Sequence, residues 1–196
     1  MKKTTISLLL FLSIFCANAQ SLVISEDDKK ENEIQINQMV NYLQETLNFI
    51  GDPKVSAQEK NIIFKESYDK IFRDENVQVE DDLDENRGIS INKDVQAYLK
   101  DIDFFFENVK FKFEIQNITP HVNEMGEPFF KVEMARTLSG RNIIGDTINN
   151  TSKRFLEINL DHYKKELKIV SFYTTKPNAK DELFTWWNSM SKPVQS

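Results

Sequence analysis

The sequence predicts an α+β domain: three N-terminal helices packed on an antiparallel four-stranded sheet, with a further helix at the C-terminus. Three observations carry this. Apolar residues recur every three or four positions up to about Phe106, the repeat of a helix with one buried face. From Val109 onward the repeat becomes two, which suits a strand with one wet face. The alternating segments then follow one another through short turns, and neighbouring strands joined in that way pair antiparallel.

Lys2 and Lys3 precede an apolar run, Ile6 to Cys16, broken only by Ser7 and Ser13 and too short for a permanent span. Ala17-Asn18-Ala19 follows, with small residues where a signal peptidase reads. Residues 1–20 therefore read as a cleavable leader and the mature protein as exported, periplasmic or extracellular. Phe15 stands where lipoprotein acylation of Cys16 wants a small residue, so no membrane attachment is expected after cleavage. Residues 21–33 read as a flexible lead-in, residues 34–176 as the domain, and residues 177–196 as a C-terminal helix and tail.

Ile36, Val40, Leu43, Leu47 and Ile50 make the stripe of helix one, which Gly51 and Pro53 stop. Ser56 and Glu59 form a capping box for helix two, whose buried side is Ile63 or Phe64, then Tyr68, Ile71 and Phe72. Val77 and Val79 give one strand-like step before an acidic loop, Glu80 to Glu85, that ends at Gly88. Asn92 is placed to cap helix three, where Val95, Tyr98, Leu99, Ile102, Phe105 and Phe106 share a face as far as about Asn108.

Val109, Phe111, Phe113 and Ile115 mark the first long strand. Phe130, Val132, Met134 and Leu138 mark the second, after a turn from Pro120 to Pro128. A polar loop from Gly140 to Ser152 leads to Leu156, Ile158 and Leu160, then to Leu167, Ile169 and Tyr173, two strands joined around Asp161 to Lys165. Asn178 can cap the last helix, in which Leu183, Trp186, Trp187 and Met190 share a face.

The chain carries a formal charge of −6, and losing Lys2 and Lys3 with the leader takes it to −8. No basic patch stands out, which argues against nucleic-acid binding. The only cysteine leaves with the leader, so core packing alone must hold the fold, and 15 Phe supply material for it.

Arg136 lies in register with Phe130, Val132, Met134 and Leu138, which aims a guanidinium along the face under the helices. A buried cation needs a partner, and Asp101 or Asp103 on helix three could supply it; otherwise Arg136 snorkels at the rim or presents its fork to an anionic ligand. Tyr42, Tyr68 and Tyr98 each fall on the inner stripe of a different helix, as a converging hydroxyl set or as core tyrosines with wet tips.

Asp82, Asp84 and Asn86 have the spacing of a calcium loop, but Arg87 stands at its glycine position and Lys93 at its bidentate glutamate, so a solvated acidic loop is expected and no metal. His121 and His162 fall in turns without metal-ligand spacing. No nucleophile elbow or phosphate loop is present, and no cofactor is implied. Phe129, Ala135, Phe155, Val170 and Phe172 sit on the opposite parity from the core residues of their strands, so the outer face should be covered by a second subunit or by the Trp186 helix.

The element order, with an aromatic third helix running directly into a long strand, resembles the nuclear-transport-factor-2-like fold, a cone of curved sheet closed by helices. The acidic Val77 to Asp84 stretch, the Tyr173-Thr174-Thr175-Lys176 strand end and Trp186-Trp187-Asn188 also resemble exported bacterial modules of that type. The resemblance implies a fold shared by isomerases, dehydratases, polyketide cyclases and proteins that only bind, with enzymes placing Asp, His or Tyr inside the cone. Three readings follow. The chain is an exported, noncatalytic binding or interaction module whose sheet face or cavity engages a protein partner or a small ligand. Or it is an isomerase or lyase using Asp101 or Asp103 as base with Tyr98 or Arg136 orienting an oxyanion. Or it is a structural protein that self-associates, as a homodimer through the sheet face.

Overall fold

A computed structural model describes residues 26–84, 90–123, 127–161 and 166–174. The expected leader, Asn86 and Gly88, His162 and the expected C-terminal helix with Trp186 and Trp187 lie outside the described residues.

The first helix, α1 (Glu26–Ile50), starts within the stretch expected to be lead-in. Its polar first turns carry Gln35 bonded to Glu31 and Asn37 bonded to the Glu33 carbonyl, and its stripe from Ile36 to Ile50 is buried. Gly51 ends it against the sheet, where an added Cβ would stand 2.5 Å from Val109 Cγ1 and from the Val109 carbonyl oxygen. No other residue fits that approach without backbone movement. α2 (Ala57–Lys65) begins at the Ser56–Glu59 capping box.

Helix two does not run on to Phe72 as the spacing suggests. A 3-10 turn at Ser67–Lys70 intervenes, and Phe72 then bridges Ile169, with Ile169 N–H donating to Ile71 O and Arg73 N–H donating to Ile169 O. Two short strands, β1 (Gln78–Glu80) and β2 (Asn92–Asp94), flank the acidic loop. Asn92 is a strand residue. The cap of α3 (Val95–Phe105) is Asp94, whose carboxylate accepts from Ala97 N–H at 2.7 Å.

Four long strands follow: β3 (Phe106–Val122), β4 (Pro128–Asn142), β5 (Thr147–Asp161) and β6 (Glu166–Tyr173), antiparallel in sequence order. Among the described residues the sheet has six strands rather than four, in the order β2-β1-β6-β5-β4-β3, and it is mixed because β1 lies parallel to β6. The expected polar loop from Gly140 to Ser152 shrinks to a turn, since Thr147 onward pairs with β4, Arg136 facing Ser152 and Leu138 facing Asn150. Hydrogen bonding along the ladder holds this polar segment in the sheet without apolar alternation. His121 is in β3, stacked on Phe129 at 5.3 Å, not in a turn; burial and the Lys131 charge lower its pKa.

The core packs between the helices and the inner sheet face, from Leu43 and Leu47 on α1 through Leu99 and Ile102 on α3 to Val132, Met134, Leu156 and Ile158. Each such side chain contributes about 1.5–3 kcal/mol. A register shift at Glu157/Ile158 leaves Val170 unpaired in β6 and exchanges the faces beyond it. Phe172, expected outside, therefore joins the core beside Tyr98 and Phe113. Tyr173, expected inside, stacks on Phe155 at 5.5 Å on the other face. Phe155, Val170 and Tyr173 are buried there, so both faces of the sheet carry buried apolar groups.

β3 is an outer strand, and α1 closes part of its free edge. Asn48 donates to Phe111 O at 3.0 Å and accepts from Phe111 N–H at 2.7 Å, while Gln44 accepts from Phe113 N–H at 2.7 Å. Side-chain amides replace a seventh strand along that stretch.

Candidate functional site

The inner face of β5 reads Ile148, Asn150, Ser152, Arg154, Leu156, Ile158, so a polar stripe interrupts the apolar core. Arg136 on β4 stands beside it. Arg136 is 2 % exposed and Arg154 fully buried, two cations that require a counter-charge. Asp82 provides it. Its carboxylate lies just beyond β1 and is only 6 % exposed, with Arg136 Nε 2.9 Å from Oδ2 and Arg154 Nη2 3.0 Å from Oδ1.

Tyr98 of α3 donates its hydroxyl to Asp82 Oδ1 at 3.1 Å, so four elements meet at one carboxylate. Burial, and secondarily the Asp82 charge, hold the Tyr98 phenol protonated far above its usual range. Arg154 also donates to the Glu80 carbonyl at 3.0 Å and lies over the Phe172 ring at 4.4 Å. Arg136 turns Nε and Nη2 toward Ser152 Oγ, at 3.2 and 2.8 Å. Its approach to Asp82 Oδ2 is thus a charge contact without a directed hydrogen bond.

Among the described residues, six buried side-chain atoms make no hydrogen bond: Asp82 Oδ2, Arg136 Nη1, Arg154 Nε and Nη1, and both ends of the Asn150 amide. Each unsatisfied buried group costs about 1–3 kcal/mol. Asp82, Arg136 and Asn150 line a cleft of about 340 Å³, together with Ser152, Thr174 and the acidic residues Glu80, Asp81 and Asp84. The acidic loop is not uniformly solvated as its charge suggests. Glu80 and Asp81 are buried as well, Glu80 accepting from Ser90 Oγ at 2.5 Å and from Thr174 N–H at 2.6 Å.

Among the sequence candidates, Arg136 and Tyr98 come together, and the others do not join them. The partner of Arg136 is Asp82, neither Asp101 nor Asp103. Asp101 is held by Lys93, which also reaches Asp81 at 2.7 Å; burial lowers the Lys93 pKa, but these two carboxylates outweigh it and leave it raised. Asp103 pairs with Lys60 at 2.7 Å. Tyr42 is 41 % exposed, off the α1 stripe, and Tyr68 packs partly buried in the 3-10 turn.

Arg154, Asn150 and Ser152 escape the sequence reading, and Asp82 enters it only as one position of a failed calcium-loop spacing. Parity with Leu156 and Ile158 is the signal for Arg154, the same signal that singles out Arg136. Nothing local marks Asp82 as a counter-ion for buried arginines, because it sits among other carboxylates in a charged run. Among the described residues, no group of three His, Cys, Asp or Glu side chains is arranged to hold a metal ion.

No protein-family model matches the chain, and no curated protein matches it. Solved structures do. A nuclear transport factor 2-like superfamily protein from Salmonella enterica serovar Typhimurium superposes with a TM-score of 0.51 at 10 % identity, over 79 % of this chain and 99 % of that one. A protein from Kribbella flavida gives 0.51 at 6 % identity, over 76 % of this chain and 92 % of that one. The fold is therefore nuclear-transport-factor-2-like. At these identities the likeness is one of architecture, and function has to be argued from the cleft.

Proposed function

We propose that the chain is an exported, noncatalytic binding module whose cleft seats a small polar ligand. The observation that carries this is the set of buried side-chain atoms on Arg136 and Asn150 that make no hydrogen bond along the wall of the 340 Å³ cleft. A ligand bearing matching groups would satisfy them, and the fixed ion cluster beneath holds them in place before binding. The catalytic alternative draws less support. Asp101 and Asp103 are tied to lysines, and Asp82 Oδ1 is already engaged by Tyr98 and Arg154. Asp82 is held as a counter-ion between two guanidinium groups, a poor posture for a general base that must reach substrate.

Thermal denaturation of the mature chain with small polar metabolites (amino acids, sugars, carboxylic acids) tests the reading. At least one compound should raise the Tm of the wild type and leave Asn150→Leu, which lies outside the ion cluster, unmoved. A panel in which no compound shifts the wild type overturns it. Mass spectrometry of the protein from fractionated cells checks export, with a mature N-terminus at or just after Gln20 expected.

A further inference from the structure

Asn150 lies on the inner face of β5, opposite Leu138 and two positions before Ser152. Both polar atoms of its side chain are buried, and among the described residues neither makes a hydrogen bond. Arg136 faces Ser152 across the ladder, so Arg136 and Asn150 are diagonal neighbours on one face of adjacent strands. Arg136 directs Nε and Nη2 to Ser152 Oγ and leaves Nη1 without an acceptor. Both residues line the 340 Å³ cleft, whose volume falls in the range of small-molecule sites.

The unused atoms are thus two donors, Arg136 Nη1 and Asn150 Nδ2, and one acceptor, Asn150 Oδ1. A side-chain amide with both ends open is complementary to a second amide whose N–H and C=O lie side by side. Two parallel hydrogen bonds join the edges, and Arg136 Nη1 can donate to the other lone pair of the same carbonyl. Reversing the Asn150 amide only reverses the edge it accepts, so the match holds for either orientation. A trans peptide bond points its N–H and C=O to opposite sides and cannot supply both.

Charge selects against the other ligand classes. An anion would meet Glu80, Asp81, Asp82 and Asp84 around one guanidinium, and it offers Asn150 Oδ1 no proton. A cation leaves both donors unmatched. It also finds the carboxylates engaged: Asp82 lies between Arg136 and Arg154, Asp81 pairs with Lys93, Glu80 accepts from Ser90 and Thr174, and Asp84 is not free.

Resting on the binding reading above, we infer that the ligand is an uncharged molecule with an amide N–H and carbonyl on one edge, as in a primary carboxamide, a lactam or a pyrimidinedione. Asn150 holds it through both groups and Arg136 through the carbonyl.

Uracil is the probe, titrated into isotopically labelled protein and followed by NMR at the Asn150 side-chain amide. 1,3-Dimethyluracil keeps the ring and both carbonyls but has no N–H, benzoate supplies an anion, and glucose supplies hydroxyls. Uracil should move the Asn150 amide resonances, and the other three should bind at least about tenfold more weakly, equivalent to about 1.4 kcal/mol. Asn150→Leu should lose uracil binding, and the comparison of the two uracils on the wild type stands whether or not that variant folds.

If 1,3-dimethyluracil binds within tenfold of uracil, or if benzoate or glucose does so at Asn150, the amide-edge assignment is overturned. If uracil does not bind while a compound of the thermal panel does in an Asn150-dependent way, this inference fails and the binding reading stands. If nothing in either set binds, both fail.

Discussion

At the scale of single residues, Asp82 has the greatest consequence. It is the carboxylate shared by two buried guanidinium groups, so Asp82→Ala removes the counter-ion of both and should cost about 3–5 kcal/mol in urea denaturation. Replacing Asp82, Arg136 and Arg154 together by apolar residues of similar volume should restore most of that loss, because a buried ion cluster contributes little net stability over good packing. A triple variant that is stable but no longer binds would separate the site from the fold. Parity makes Arg136 legible in the sequence, and Arg154 is equally legible once β5 is known to begin at Thr147. Asp82 is not, because what buries it comes from strands more than fifty positions away, and a run of carboxylates reads locally as a wet loop.

At the scale of elements, the join of α1 to β3 is the most exposed to test. Asn48 satisfies both backbone groups of Phe111, and Gln44 satisfies the Phe113 amide. Asn48→Ala should cost about 1–2 kcal/mol and speed hydrogen exchange at the Phe111 amide, whereas Gln44→Ala should expose Phe113 alone. Equal acceleration at both amides in either variant would contradict the assignment. The helices and long strands are legible because each shows its own period. Where helix two stops is not, since the chain leaves it to pair Phe72 with Ile169, and no local pattern signals a bridge to a strand so far along the sequence.

At the scale of the molecule, the second sheet face holds a titrating group. Glu157 sits there among Phe155, Tyr173 and Lys131, and burial raises its pKa against the pull of Lys131 at 3.8 Å. The folded chain therefore keeps a proton on Glu157 to a higher pH than the unfolded chain. Its contribution to stability is fully present below the ordinary value near 4.5 and is lost as pH rises through the folded value. Glu157→Gln, permanently neutral, should show a higher Tm than wild type at pH 8 and no difference at pH 4. The opposite ordering would mean the carboxylate is stabilised there.

Apolar parity on both faces is visible in the sequence, but the exchange of Phe172 and Tyr173 is not, because one unpaired residue at Val170 reverses everything after it. Beyond Phe113 the α1 side chains no longer guard β3, whose residues Gln116, Asn117, Pro120 and Val122 are exposed and where Pro120 removes one donor from the edge. Light scattering of the protein across concentrations tests self-association along that edge. A monomer throughout excludes it.

The parallel pairing of β1 with β6 has a temporal consequence. Glu80 receives the Thr174 amide from 94 positions away, and Asp82 follows directly on the strand so anchored. Closing so long a loop is slow and comes after the hairpins of β3 to β5 have found one another. Arg136 and Arg154 would then wait, already side by side, for an anion that arrives last. In refolding experiments the capacity to bind should appear with the slowest phase, and a chain released before Tyr173 has emerged should hold most of its sheet and none of its affinity.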